Sequence, residues 1–216
     1  NVAMIPNGCD LQIFGENVQK WQPDGVNDND LVAVFTGTHG IANGLDAVIN
    51  VAVELKARKV DNIKFVLIGR GIKKKELLKA AEKQSLDNIV FLEPVDKVNL
   101  AKLLARADVG MQILKNTPAF YYGTSPNKFF DYIASGKPVL NNYPGWVADL
   151  IGEYDCGKAI SPDDPVAFAD AMEWFSNNRS SLPKMGLNAR KLAMEKFDRD
   201  KLSDQFVEWL EKWSSK

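Results

Sequence analysis

Leu31-Val-Ala-Val-Phe35, the loop Gly37-Thr-His-Gly-Ile-Ala-Asn-Gly44 and the segment from Leu45 to Lys59 are the stretch that decides the fold. The unbroken apolar run reads as a strand buried on both faces. A loop carrying glycines at 37, 40 and 44 follows it directly, and Leu45, Val48, Ile49, Ala52 and Leu55 then recur at helical spacing. Strand, glycine loop and amphipathic helix open a parallel α/β unit, in which loop N–H groups can approach a phosphate at the helix start. The glycine spacing is not GxGxxG, so two readings of the loop stand, a simple turn and a phosphate cradle.

The same alternation continues outward. Ile63 to Ile68 is a strand ending in Gly69-Arg-Gly71, with a helix over 72–84. Asn88 to Leu92 is a third strand leading into Glu93-Pro-Val95; a helix through Leu100 to Arg106 and a strand from Asp108 to Leu114 follow. A short helix after Pro126 feeds a strand at Val139-Leu140. The loop Asn141 to Trp146, another short helix and a small strand near Lys158 to Ile160 come next. Helices over 166–178, 184–196 and 199–213 close the chain. This pattern predicts a Rossmann-like, doubly wound parallel sheet of about six strands with extra C-terminal helices. Ligands of such sheets lie beyond the carboxyl ends of the strands near a topological switch point, so loops 37–44, 69–71, 93–95, 115–128 and 141–146 are expected to share one edge.

Before residue 31 a short apolar stretch and the turn Pro6-Asn-Gly8 open the chain, and residues 15–30 are polar, with Gly15, Pro23, Gly25 and the run Asn27-Asp-Asn-Asp30. The chain divides into an entry segment and polar linker over 1–30, a Rossmann-like domain over 31–182 and C-terminal helices over 183–216. The acidic run lacks the later ligands of a calcium loop and reads as solvated linker. A net charge of −1 argues against broad electrostatic binding of nucleic acid or anionic membrane. Cys9 and Cys156 are too few for a disulfide framework and have no CxxC spacing, which makes a reducing compartment the simpler expectation. No apolar run approaches the ~18 residues a membrane-spanning helix needs. The first residues, Asn-Val-Ala-Met-Ile-Pro, lead us to expect an excised part of a longer chain.

Chemistry concentrates in Gly123-Thr-Ser-Pro-Asn-Lys-Phe-Phe-Asp-Tyr-Ile-Ala-Ser-Gly-Lys-Pro138. Ser125 is a good N-cap, Pro126 suits the first helical position, and Gly136 with Pro138 ends the helix. Lys128 stands in the first turn, where the helix dipole disfavours a cation; it is either a solvated lysine or part of an anion site. His39, the only histidine, is either an exposed loop residue or a donor to bound phosphate, and it cannot form a His-rich metal site. Arg70 with Lys73, Lys74 and Lys75 makes a basic patch, equally readable as a solvated helix entrance or a phosphate contact. Asp163-Asp164 precedes a helix and reads as capping. Trp146 can stack on a sugar or base, though core packing is the commoner role. Phe206, Trp209, Leu210 and Trp213 form a packing stripe, within this domain or against a missing one.

Taken together these pieces resemble the C-terminal, donor-binding half of the retaining family-4 (group 1) glycosyltransferases of the GT-B fold. The resemblance runs through Ile5-Pro-Asn-Gly-Cys-Asp-Leu11, Phe35-Thr-Gly37 to Asp46, Phe65 to Gly71, Asn88 to Leu92, Ala107-Asp-Val109 and, most specifically, Lys128 to Val139. It implies a nucleotide-sugar-binding domain over 31–182. Asp131 would bind the ribose hydroxyls, and Glu93, Pro94 and Val95 would frame the nucleobase through their backbone. Gly37, Thr38, His39 and Gly40, with the amides around Thr124, Ser125, Pro126, Asn127 and Lys128, would face the diphosphate beside Arg70.

The family's two glutamates, with seven residues between them, fall at Gly123 and Asp131 here, and its loop arginine and lysine fall at Thr38 and Asn43. A subgroup of O-antigen and capsule enzymes is similar in its Ser-Pro-Asn-Lys-Phe-Phe-Asp-Tyr-like stretch, which implies that Lys128 supplies the charge the first loop lacks. The resemblance further implies sugar transfer with retention from a nucleotide-diphosphate sugar, uridine-linked, with Lys128 and Asp131 as the catalytic-site pair, and neither metal nor other cofactor. It implies an N-terminal acceptor-binding domain as partner, no nucleic acid, and a cytoplasmic location, with any contact at the inner face of the membrane made through that other domain. A nucleotide-sugar epimerase, a phosphorylase half and a non-catalytic nucleotide-binding domain are the alternatives.

Overall fold

In the computed structural model residues 2–15 and 17–214 are described; positions 1, 16, 215 and 216, the outer ends of the expected linker and C-terminal segments among them, lie outside. Six consecutive buried residues form β1 (Leu31–Thr36). It pairs in parallel along its whole length with β2 (Ile63–Ile68), from Leu31 beside Ile63 to Thr36 beside Ile68. β3 (Ile89–Leu92) lies outside β2, while β4 (Val109–Gln112), β5 (Val139–Asn141) and β6 (Gly157–Ala159) extend the sheet on the other side of β1. The parallel sheet has the order β3-β2-β1-β4-β5-β6. The chain reverses direction between β1 and β4, the place where such sheets bind ligands.

Alternation sorts the strand side chains into two cores. Leu31, Ala33, Phe35, Phe65, Leu67, Val109 and Met111 pack beneath α1 (Asp46–Ala57), α2 (Lys74–Lys83) and α7 (Pro165–Asn177). Val32, Val34, Val66, Ile68 and Val139 pack beneath α3 (Lys97–Arg106), α5 (Asn127–Ala134), α6 (Trp146–Glu153) and α8 (Leu182–Lys196). A further short helix, α4 (Ala119–Gly123), precedes α5 within the stretch 115–128, where the sequence pattern predicts loop.

Residues 17–30 are not free chain. Val26 is buried, the Trp21 N–H donates to the Lys102 carbonyl, and Asp30 takes the Asn27 N–H at 2.7 Å. The entry segment is tied to the far end of the chain: Cys9 bridges Asp198, and the Arg190 guanidinium gathers the carbonyls of Leu11, Phe14 and Ala134. The terminal helix α9 (Arg199–Ser214) anchors through buried Leu202, but Phe206, Val207 and Leu210 stay about half exposed. Its apolar stripe therefore finds little cover within this domain.

Candidate functional site

The site begins with a steric allowance in β4. A Cβ at position 110 would sit 2.3 Å from the Tyr132 ring, so glycine there lets this α5 side chain cross the sheet. The Tyr132 hydroxyl, fully buried, accepts the Thr36 N–H at 3.0 Å and lies 3.3 Å from both the Thr36 hydroxyl and the Met111 carbonyl. One tyrosine thus pins the start of α5 over the end of β1, across the switch point. The second device is a close backbone approach. A Cβ on Gly69, whose φ is +153°, would meet the Gly37 carbonyl at 1.8 Å. With that space free, Gly37 N–H reaches Ile68, His39 N–H reaches Arg70, and Lys73 N–H reaches the His39 carbonyl, zipping the first loop to the second.

Between these devices lies a cleft of about 350 Å³. Gly37, Thr38, Arg70, Pro94, Val95, Asn127 and Asp131, all expected at the site, line it together with Thr36, Ile68, Gly69 and Leu100. Lys128 does not itself line the cleft but lies next to its Gly37 edge, with Cε 3.5 Å from where a Cβ on Gly37 would sit; its Nζ donates to Asn43 Oδ1 at 3.0 Å, lies 4.8 Å from the Phe35 ring centroid, and pairs with no carboxylate among the described residues. Burial brings its pKa down to about 8. The Asp131 carboxylate has no hydrogen-bond or ion-pair partner among the described residues. Burial pushes it up to about 6, with Lys97 and Arg199 pulling the other way. A half-buried carboxylate on the cleft and a half-buried cation beside it are thus both without an ion-pair partner among the described residues, an arrangement that a ligand carrying both anionic oxygens and hydroxyls would satisfy.

Other expected residues stand elsewhere. His39 is fully buried between Phe35 and Phe91, both ring nitrogens are unpartnered, and burial holds its pKa down to about 4. It is neither an exposed loop residue nor a donor facing the cleft, because the zipped backbone turns the ring inward. Gly40 only starts the turn Ile41–Asn43. The Glu93 side chain is held in an ion pair with Lys74 at 2.6 Å, so only its backbone is free for the role expected of it. Ser125 caps nothing: Pro126 occupies the N-cap with extended ψ of 113°, its carbonyl takes the Phe129 N–H, and Ser125 lies one residue too far out. Thr124 closes α4 through its hydroxyl on the Phe120 carbonyl and accepts the Trp146 indole N–H, which places Trp146 in an aromatic cluster with Phe129, Phe130 and Phe197. The basic patch also dissolves. Lys73 pairs with Glu76 and Lys74 holds the carbonyls ending β2 and β3, leaving Arg70 at the cleft. Of the residues that sequence reasoning missed, Thr36 and Asn43 carry polar side chains. Only Asn43 left a trace, as a neutral residue where the resemblance places a lysine.

A larger cleft, about 400 Å³, opens between the starts of α1 and α7. Of its acids, Asp163 and Asp164 are engaged by Asn116 and by the Ala167 N–H, Asp46 stands in the first turn of α1, and the cleft does not hold Asp131. We therefore place the chemistry in the smaller cleft. Among the described residues no cluster of His, Cys, Asp and Glu could hold a metal ion, and no helix is long and apolar enough to cross a membrane.

With this geometry in place, comparison with known proteins is informative. Residues 18–192 match the family described as glycosyl transferases group 1. The O-antigen chain mannosyltransferase C of Escherichia coli is 24% identical over 212 residues, 95% of this chain and 53% of that protein. The chain thus spans about half the length of the curated relative it matches. HepE of Anabaena, solved with UDP and glucose, shares the fold at a TM-score of 0.77 and 18% identity, covering 96% of this chain and 56% of its own. A C-terminal domain of a group 1 glycosyl transferase from Francisella tularensis (LpcC) superposes with a TM-score of 0.71 at 20% identity, over 88% of this chain and 99% of that one.

Proposed function

This chain belongs to the group 1 glycosyltransferases, and from that premise we propose that it is the donor-binding half of a transferase that takes its sugar from a UDP-linked donor. The observation that carries the reading is a cleft at the switch point lined by Asp131 and Arg70, with the Lys128 stem against its Gly37 edge and neither Asp131 nor Lys128 ion-paired among the described residues. The diphosphate lies against the Gly37 and Thr38 backbone and the start of α5, with Lys128 and Arg70 as cations. Asp131, about one turn further along α5, accepts the ribose hydroxyls. Pro94 and Val95 frame the base. UDP as the nucleotide is supported by HepE, which was solved with it.

Transfer proceeds with retention by front-face attack, and the protein's part is to stabilise the departing diphosphate with preorganised N–H groups and cations. No metal ion or other cofactor takes part in this reading. The acceptor side is supplied by an N-terminal domain, which also covers the apolar stripe of α9. Residues 31–182 are the donor-binding domain and 183–216 the segment that joins the two. The product belongs to surface polysaccharide, as the O-antigen relative suggests, and the enzyme works on the cytoplasmic side of the membrane. The burial of His39, the only histidine, weighs against the epimerase alternative.

Titrating the purified chain with UDP while following backbone amide resonances tests the site. Shifts are expected at Gly37, Thr38, Lys128 and Asp131, larger with UDP than with uridine. A silent cleft at millimolar UDP would sink the proposal.

A further inference from the structure

Resting on that reading of Lys128, we propose that Asn43 is a positioning residue that holds the Lys128 ammonium against the first loop, so that a neutral loop presents a cation borrowed from α5. Asn43 ends the turn Ile41–Asn43, and its side-chain amide is used at both ends. Its Nδ2 donates to the Thr38 carbonyl at 2.6 Å, and its Oδ1 accepts Lys128 Nζ at 3.0 Å. The first bond orients the amide: with the NH₂ on a carbonyl, the oxygen must face the ammonium. Thr38 itself lines the cleft. The remaining contacts of the ammonium leave its charge intact. Phe35 offers a ring face at 4.8 Å, and a Cβ on Gly37 would lie 3.5 Å from Lys128 Cε, so the lysine stem passes directly over the loop backbone.

The chemistry of the acceptor matters. A carboxylate at position 43 would also hold the lysine, but it would cancel the charge that an anion needs. An amide positions without neutralising, and it occupies one of the three ammonium donors, leaving two for phosphate oxygens. Lysine is among the side chains with most rotamer freedom to lose, so restricting it before the ligand arrives removes that loss from binding. The charged groups on the elements around it are Arg70 after β2, Lys115 against Gly44 after β4, and Asp131 on α5; none is ion-paired with it among the described residues.

Calorimetric titration of the purified chain with UDP separates this inference from the reading beneath it. Lys128→Met tests the reading, and wild-type affinity in that variant overturns it. Given a loss there, Asn43→Ala should weaken UDP by about tenfold, as expected for one lost hydrogen bond to a charged group. Asn43→Asp should weaken it further, and the decline of affinity at alkaline pH, centred near 8 in the native chain, should move upward as the new carboxylate retains the proton on Lys128. Exchange of the two side chains (Asn43→Lys with Lys128→Asn) should return affinity to within about threefold, since one ammonium again faces one amide. If Lys128→Met loses binding while Asn43→Ala and Asn43→Asp bind like the native chain, the inference falls and the reading stands. An unmoved pH profile in Asn43→Asp, or an exchange variant that folds without regaining affinity, likewise overturns it.

Discussion

The starts of α5 and α7 look alike in sequence, Ser125-Pro-Asn-Lys128 against Asp164-Pro-Val-Ala167, but differ in what satisfies them. At α7 the Asp164 carboxylate accepts the Ala167 N–H at 2.8 Å, and Pro165 takes the first helical position. The start of α3 is closed in the same way by Asp96 on the Asn99 N–H. At α5 no side chain among the described residues caps the helix, its first-turn lysine has no N-cap carboxylate beside it as Lys97 of α3 has Asp96, and Asp131 in the next turn has no partner among the described residues. Both features cost stability, through uncapped N–H groups and through a cation set against the dipole. A helix that tolerates both while Tyr132 is locked across the sheet is held in place by its tertiary contacts, and our proposal gives its open end to the ligand.

The largest effect should come from removing the cation at the open start. Lys128→Met keeps the stem and its packing on Phe35 and deletes a charged hydrogen-bond donor, for a loss in UDP affinity of about 10- to 100-fold. Thermal unfolding should show no loss of stability, because a buried, unpaired ammonium is itself unfavourable. A variant that melts markedly lower while binding UDP normally would reverse the comparison, making Lys128 a structural residue.

Asp131→Asn should follow, with about tenfold weaker binding of a nucleotide that carries ribose. Its stability has a definite sign. The folded carboxyl titrates near 6, above its ordinary 3.8, so the native state holds this proton more tightly than the unfolded chain does. Stability from this group is therefore highest at low pH and falls as pH rises through 6. At pH 7 the asparagine variant should melt at or above the native chain, and a clear drop would assign Asp131 a structural partner.

At the closed start the roles exchange. Asp164→Ala should cost about 1 kcal/mol of folding stability by chemical denaturation, the usual worth of an N-cap, and leave UDP affinity unchanged. If its affinity falls instead, the larger cleft beside α7 takes part in donor binding.

The sheet was legible because runs such as Leu31 to Phe35 and Ile63 to Ile68 are buried on both faces and owe little to their neighbours' identities. Lys128 and Asp131 were legible because a charge in a capped-looking first turn breaks local rules. What stayed hidden depends on contacts distant in sequence. His39 is drawn inside by hydrogen bonds between loops 37–39 and 70–73, and no periodicity marks a loop residue as buried. α4 lacks caps and helical spacing, and Thr124 and Trp146 hold its end. Ser125 outranks proline as a cap in isolation, yet the backbone at Pro126 decides where the helix begins. Asn43 shows its role only once Lys128 has been laid beside it.

The smallest effect is the most diagnostic of the open start. Burial alone lowers Lys128 to about 8, so the charge proposed to face the diphosphate begins to disappear within the range of ordinary buffers. At a pH equal to that value half of the free chains carry it, and affinity for a UDP-sugar, whose diphosphate diester keeps its own charge throughout, should be about half its value at pH 7. The sign follows from linkage: the bound anion raises the lysine pKa, so binding takes up a proton above pH 8 and weakens as protons become scarce. Lys128→Met should be flat over the same interval, whereas Asp164→Ala should retain the native profile, since nothing at the start of α7 titrates against the ligand. A decline that survives in Lys128→Met would place the titrating group elsewhere on the cleft and remove the distinction between the two helix starts.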